Sequence, residues 1–191
     1  RYSFDLRGNQ TAVTEASGAA EERTTRFSYD AADRLTDTEQ PDGTITRLVL
    51  DADGNIVERH DAFGTADARV TRFEYDGNHS VVREVDAEGV VTLFRYDAAR
   101  NLTEKVLASG TADERSERFQ YDGENRLTAE VNGKGESTRF EYDGAGNQTR
   151  VVQAAGLPEE RQNTFEYDLD NRQVAAVDGI NSRTEYKVDG Q

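Results

Sequence analysis

Arginine, phenylalanine, a polar residue and tyrosine recur in that order along this chain, as Arg26-Phe27-Ser28-Tyr29, Arg72-Phe73-Glu74-Tyr75, Arg118-Phe119-Gln120-Tyr121 and Arg139-Phe140-Glu141-Tyr142. The rings stand two residues apart. Period two sends them to one face of a strand and the polar side chains, with Arg26, Arg72 and Arg118, to the other. Aspartate follows the tyrosine and opens a turn, as in Asp30-Ala31-Ala32-Asp33, Asp51-Ala52-Asp53-Gly54 and Asp143-Gly144-Ala145-Gly146. A carboxylate there accepts from backbone N–H groups two residues on, and glycine or asparagine tolerates positive φ. A second run rich in threonine, valine and leucine comes next, such as Arg34-Leu35-Thr36-Asp37-Thr38 or Asn101-Leu102-Thr103-Glu104-Lys105-Val106, and reads as a strand. Each repeat therefore predicts a β-hairpin. Its candidate core is the ring set Phe27, Tyr29, Phe73, Tyr75, Phe94, Tyr96, Phe119, Tyr121, Phe140, Tyr142, Phe165 and Tyr167. The candidate turn set is Asp30, Asp51, Asp76, Asp97, Asp122, Asp143 and Asp168.

The hairpins recur on an alternating beat. From Phe4-Asp5 the motif returns at Tyr29, Leu50, Tyr75, Tyr96, Tyr121, Tyr142, Tyr167 and a degenerate Tyr186-Lys187, in steps of 25, 21, 25, 21, 25, 21, 25 and 19 residues. Two hairpins thus form one unit of 46 residues, and a period of this size marks a repeat architecture. Short joints (Pro41-Asp42-Gly43-Thr44, Ala87-Glu88-Gly89-Val90, Gly133-Lys134-Gly135-Glu136) fit tight turns. Long joints occupy residues 16–22, 63–67, 109–114 and 155–160. The tips alternate too: Asn9, Asn55, Asn101 and Asn147 on one set, Arg34, Ser80, Arg126 and Arg172 on the other. No stretch sustains a helical period past about a dozen residues.

The fold class is all-β: tandem antiparallel β-hairpin repeats over residues 1–191, about eight and a half hairpins in one continuous array. Two arrangements fit. In a wound strip every hairpin joins one meander, whose path runs to roughly 80 Å at ~4.8 Å per strand. In a two-sided rod, odd hairpins stack in one sheet and even hairpins in a facing sheet ~10 Å away, giving roughly 40 Å. Alternating joints and tips ask for two environments, so the rod is the expectation. Covered rings would make Phe119→Ala cost ~3–5 kcal/mol.

Composition narrows the function. Only 35% of residues are hydrophobic and mean hydropathy is −0.86, too little to fill one spherical core of this length. Low hydrophobicity with high charge also fits disorder, but disordered chains do not keep a Phe-x-Tyr alternation. The net charge of −15, with no basic patch, speaks against nucleic acid and anionic membrane surfaces as partners. Arginine outnumbers lysine 20 to 3 and mostly sits beside acids on strands, which predicts cross-strand ion pairs of ~0.2–1 kcal/mol each. Cysteine is absent, which excludes disulfides and thiol chemistry without fixing the redox compartment. No run of about 18 apolar residues and no signal peptide is present.

The arginine–aromatic–tyrosine–aspartate motif, followed by Gly-Asn or Asn-Arg-Leu and by Pro-Asp-Gly-Thr at 41–44, closely resembles the Rhs/YD-repeat family over the entire chain. The resemblance implies a β-hairpin strip in a large secreted or surface-anchored protein, extracellular or on the cell surface. Bacterial members wind such a strip into a shell around a toxin; in animal teneurins a similar shell takes part in adhesion. Bacterial shells also carry a self-cleaving Asp-Pro segment, and this chain has no Asp-Pro step, its two prolines following Gln40 and Leu157. Neither end resembles a cap, Arg1 falling on the motif's arginine and Gln191 just after a ninth turn, so a section of a longer array is expected.

No catalytic constellation emerges. Asp51-Ala52-Asp53-Gly54-Asn55 imitates a calcium loop, but Ile56 and Ala62 occupy the positions that need glycine and a bidentate glutamate; loosely bound calcium at the turn carboxylates is the one cofactor to consider. His60 and His79 sit in unrelated parts of the repeat without cysteine partners. Acid pairs such as Asp51/Asp53 and Glu159/Glu160 read as a solvated face. No Gly-x-Ser-x-Gly or phosphate-binding glycine pattern occurs. A tyrosine ladder could stack sugars, although rings sharing a face with phenylalanine are first a core. The expectation is a non-catalytic scaffold: stalk, fibre or shell wall. The alternatives are a toxin-enclosing cage or a module binding a glycan or receptor. Partners would be further repeats of the chain or identical chains end to end.

Overall fold

The computed structural model describes residues 1–16, 18 and 21–187. Ser17, Ala19 and Ala20 of the first long joint, and 188–191 with the proposed ninth turn and Gln191, lie outside the described residues. Seventeen strands and no helix occur among the described residues. The chain forms two compact units, Arg1–Thr92 and Leu93–Gln191.

In the first unit, β1 (Tyr2–Phe4), β2 (Gln10–Glu15), β3 (Arg23–Tyr29), β4 (Leu35–Glu39), β5 (Ile45–Leu50), β6 (Ile56–Asp61), β7 (Arg69–Tyr75) and β8 (Val81–Val85) run in sequence. Each pairs antiparallel with the next, without a skip. The second unit repeats this from β9 (Val91–Tyr96), which begins just before the boundary, through β10 (Leu102–Leu107), β11 (Arg115–Tyr121), β12 (Leu127–Val131), β13 (Ser137–Tyr142), β14 (Gln148–Gln153), β15 (Arg161–Tyr167), β16 (Gln173–Val177) and β17 (Arg183–Glu185). Each unit is an unbroken meander.

This corrects the two-sided rod. Tyr29 on β3, Leu50 on β5 and Tyr75 on β7 lie in successive hairpins of one hydrogen-bonded sheet, linked by Asp37↔Arg47 and Glu58↔Arg72. The long joints explain why. The three that are described in full are two turns in series, not a crossover: Thr65 N–H donates to Ala62 O at 3.2 Å and Ala68 N–H to Thr65 O at 3.4 Å. The same pattern recurs at Ala108–Glu114 and Ala154–Glu160. Ala62, Ala108 and Ala154 take φ near +50° there, which costs a non-glycine residue something. Thr65 and Thr111 offset part of that by donating their hydroxyls to the Ala62 and Ala108 carbonyls, at 2.8 and 2.7 Å. The four extra residues of a 25-residue step are spent inside a reversal, and the chain re-enters as the adjacent strand.

The faces follow the period-two pattern. Phe27 and Tyr29 are half-buried while Arg26 and Ser28 are exposed, and the same holds around Phe73, Phe119 and Phe140. The ring set lies at half-burial throughout, including Phe94, Tyr96, Phe165 and Tyr167. Among the described residues strand contacts join only sequence neighbours within each unit, so no second layer of described residues lies over the rings of either unit. Their cross-strand partners are often polar as well: Thr38 opposite Phe27, Glu84 opposite Phe73, Lys105 opposite Phe94 and Glu130 opposite Phe119. The buried hydrophobic residues among those described are Val106, Val152 and Ala175, all on the other face. That face carries a ladder of ion pairs: Asp37–Arg47 at 2.6 Å, Glu58–Arg72 at 2.9 Å, Glu74–Arg83 at 2.6 Å, Arg95–Glu104, Glu141–Arg150 at 2.8 Å and Glu166–Arg183 at 2.6 Å. Arg183 reaches from β17 to Glu166 on β15 across β16, where Ala175 lies. Long arginine stems shelter short apolar side chains in this way.

Candidate functional site: the hairpin tips

Every tyrosine–aspartate tip is built on one plan. The Asp30 N–H donates to Arg34 O at 2.9 Å, and the Asp33 N–H returns to Asp30 O at 3.1 Å. Asp30 Oδ1 then accepts from the N–H groups of Ala32 and Arg34, at 2.9 and 3.0 Å. The fourth tip residue has positive φ (Asp33 at 61°, His79 at 62°, Asn125 at 62°, Asn171 at 61°), and the next ladder step carries a bulge. This is the three-residue hairpin geometry in which a turn is followed by a left-handed residue. Asp51, Asp76, Asp97, Asp122, Asp143 and Asp168 each accept the same two backbone bonds.

The second carboxylate oxygen separates the two kinds of tip. In one kind an asparagine holds it: Asn55 Nδ2 donates to Asp51 Oδ2 at 2.8 Å, Asn101 to Asp97 at 3.0 Å and Asn147 to Asp143 at 2.9 Å. In the other kind an arginine does: Arg34 Nε to Asp30 at 2.7 Å, Arg126 to Asp122 at 2.7 Å and Arg172 to Asp168 at 2.9 Å. Both residues then reach the next hairpin. Asn9 donates to Asp33 Oδ1 at 2.8 Å, Asn101 to Asn125 at 2.9 Å and Asn147 to Asn171 at 2.9 Å, across the long joints. At the remaining tip His79 Nδ1 donates to Asn55 Oδ1 at 3.0 Å. Arg34 and Arg126 send a guanidinium N–H to the carbonyls of Asp51 and Asp143, at 2.8 and 3.2 Å, across the short joints. Alternating Asn and Arg are therefore two staples along the row of tips within each unit, not two environments. Ser80 stands where the arginine would be, and among the described residues no side chain donates to Asp76 Oδ2.

The tyrosines fasten the other direction. Tyr29, Tyr75 and Tyr167 donate their hydroxyls to the carbonyls of Gln10, Ile56 and Gln148, each at 2.9 Å, and Tyr142 to Leu127 at 2.8 Å. Each acceptor opens the strand of the preceding hairpin. Burial, and then the Asp51 or Asp97 charge, push the Tyr75 and Tyr121 phenols up, so they stay protonated. The carboxylates move the opposite way. The Arg34 backbone N–H and guanidinium hold Asp30 below the usual carboxylate range, and the Asn101 and Asn147 side-chain amides do so for Asp97 and Asp143.

Apart from Asp76 Oδ2, both oxygens of these tip carboxylates accept from the chain's own N–H groups. No group of three or more metal-ligating side chains gathers among the described residues. His60 is held by Glu58 Oε2 at 2.8 Å, edge-on to Phe63, with Arg47 stacked 3.8 Å above that ring. It is far in sequence from His79 and does not share a site with it. Sequence reasoning located the turn acids but missed the Asp33–His79–Asn125–Asn171 row that receives the asparagine staples. Its signal was present: these positions also repeat every 46 residues.

The RHS Repeat family matches residues 4–45, 29–66, 75–112 and 121–158, and the last three matches start 46 residues apart at Tyr29, Tyr75 and Tyr121. The chain belongs to the RHS Repeat family. Its β-hairpin fold is shared by the crystal structure of TcdB2-TccC3-Cdc42, at TM-score 0.73 and 16% identity over 93% of this chain. The Photorhabdus luminescens Tc holotoxin pore with the TccC3-D651A mutation matches at TM-score 0.73 and 14% identity, again over 93% of the chain. This Rhs-repeat chain spans 10% of the length of each. No curated protein sequence matches it. The chain is a structural repeat protein whose hairpins associate with their sequence neighbours.

Proposed function

We propose that this Rhs-repeat chain is a length of non-catalytic shell wall in a larger secreted or surface-exposed protein. The observation that carries the reading is the single-layer strip: within each unit every hairpin is stapled to its neighbour at the tips, and one face offers half-covered rings with no second layer. A wall needs lateral continuity and two different faces, and the strip supplies both. The ion-pair ladder suits the wetter face. The rings suit the side turned toward an enclosed space. The likeness in fold to TcdB2-TccC3 assemblies supports the same reading, as does the commitment of the tip carboxylates to their own turns. Electron microscopy of the full-length protein containing this chain tests it. A hollow particle with residues 1–191 in its wall is expected; a solid stalk or fibre would overturn the shell.

A further inference from the structure

We propose that Asn132 is a site of spontaneous deamidation, acting as a slow charge switch in the turn between β12 and β13. The short joints are built alike. Their first positions are Gln40, Asp86, Asn132 and Asp178, and their fifth are Thr44, Val90, Glu136 and Ser182, closed by backbone bonds of 2.8–3.0 Å. Asn132 faces an acid where Asp86 and Asp178 do not: its Nδ2 donates to Glu136 Oε2 at 2.7 Å. Glu136 therefore favours an amide at 132. In this joint the second position favours glycine, because a β-carbon on Gly133 would stand 3.1 Å from Arg115 Cβ, whereas Pro41 and Ala87 hold that place in two of the other joints. Two local packing requirements together create the only Asn-Gly dipeptide in the chain.

That dipeptide is open to reaction. Glycine leaves its own nitrogen sterically free, Asn132 is exposed, and among the described residues the Gly133 N–H meets no protein acceptor. The deprotonated Gly133 nitrogen attacks Asn132 Cγ and forms a C–N bond. The Cγ–Nδ2 bond breaks and the amide nitrogen leaves as ammonia, having gained a proton from water. Water then adds to either carbonyl of the cyclic imide and reopens it, with no change of oxidation state. Opening at the backbone side gives an isoaspartyl link that runs the main chain through the β-carbon. That link displaces the bonds from Asn132 N–H to Glu136 O (3.0 Å) and from Gly135 N–H to Asn132 O (2.8 Å). Opening at the side-chain end gives aspartate, which still accepts from the Lys134 and Glu136 N–H groups as the amide does at 2.9 and 3.0 Å. Its charge now opposes Glu136. Both products loosen this joint.

The test holds the intact folded chain at mildly alkaline pH and maps amide-to-acid conversion and isoaspartate by peptide mass spectrometry. Conversion is expected at Asn132 ahead of every other asparagine, including the stapling Asn101 and Asn147. N132D should melt below the parent chain, and adding E136Q should recover the loss. Conversion at Asn132 no faster than at Asn101, or N132D melting with the parent, would overturn the proposal. Should N132D fail to fold, the conversion map decides alone.

Discussion

Asn147 Nδ2 stands 2.9 Å from Asn171 Oδ1, 24 residues further along the chain, and 2.9 Å from its own turn acid Asp143. One amide closes a turn and fastens the next hairpin to it. Asn147→Ala should destabilise by about 1–2 kcal/mol, the order expected for two modest hydrogen bonds. Asn147→Asp should cost more, since it sets a carboxylate against Asp143. Urea midpoints at unchanged slope would measure both.

Tyr75 and Ile56 are tied by the phenol-to-carbonyl bond of 2.9 Å. Tyr75→Phe keeps the half-covered ring and deletes that bond. A loss of about 0.5–1.5 kcal/mol is expected, again from denaturant midpoints. No change would mean that the tyrosine matters only as a ring.

Phe119→Ala now carries a smaller cost than a fully buried ring implies. Half-covered and opposite Glu130, the ring should contribute about 1–2 kcal/mol, roughly half the transfer value of a buried side chain. A measured loss of ~3–5 kcal/mol would show that another layer covers this face.

Ser80→Arg should stabilise the first unit. Arg34, Arg126 and Arg172 each clamp their turn acid, and Ser80 leaves Asp76 Oδ2 without such a clamp. The gain is that of an exposed pair, about 0.2–1 kcal/mol, read as a raised midpoint. A neutral result would confine the arginine's role to bridging hairpins.

Acid should unfold the array through its tips. Asp30, Asp51, Asp97, Asp122, Asp143 and Asp168 have depressed folded-state pKa values. Such groups contribute stability that is present above their unfolded pKa of about 3.9 and lost as pH falls through the folded value. Stability should therefore be flat near neutrality and decline below about pH 4. Asp97→Asn should shallow that decline; an unaltered acid limb would remove the turn acids from the account.

Much of this was legible in the sequence, and the failures share a cause. Tyr29-Asp30 and its copies announced strand, turn and face, because a period of two and an acid-led turn are local properties. The choice between strip and rod was not local. Four extra residues at Ala62–Ala68 fit a crossover or a double turn equally well, and only the Thr65 and Ala68 bonds reveal the latter. Asn55 and Arg34 looked like markers of two surroundings because their partners, the His79 ring that donates to Asn55 and the Asp51 carbonyl that accepts from Arg34, lie on other hairpins. Val106 and Val152 were overlooked as core because they lie on the face opposite the rings, beside Leu93 and Ser116 in one case and Arg139 and Gln162 in the other, partners that are mostly polar.

The single strip depends most directly on the pairing of β6 with β7 across a long joint, where Arg59 stands opposite Thr71. The chain has no cysteine, so an Arg59→Cys/Thr71→Cys variant reports that pairing without interference. Opposed antiparallel residues lie about 4.5–5.5 Å apart, within disulfide reach. Oxidation should close this bond quickly in the folded chain and leave the parent melting temperature intact or raised. If Arg59→Cys/Thr71→Cys stays reduced while cysteines placed on alternate hairpins, such as Thr38→Cys with Thr71→Cys, become linked, the single strip is wrong.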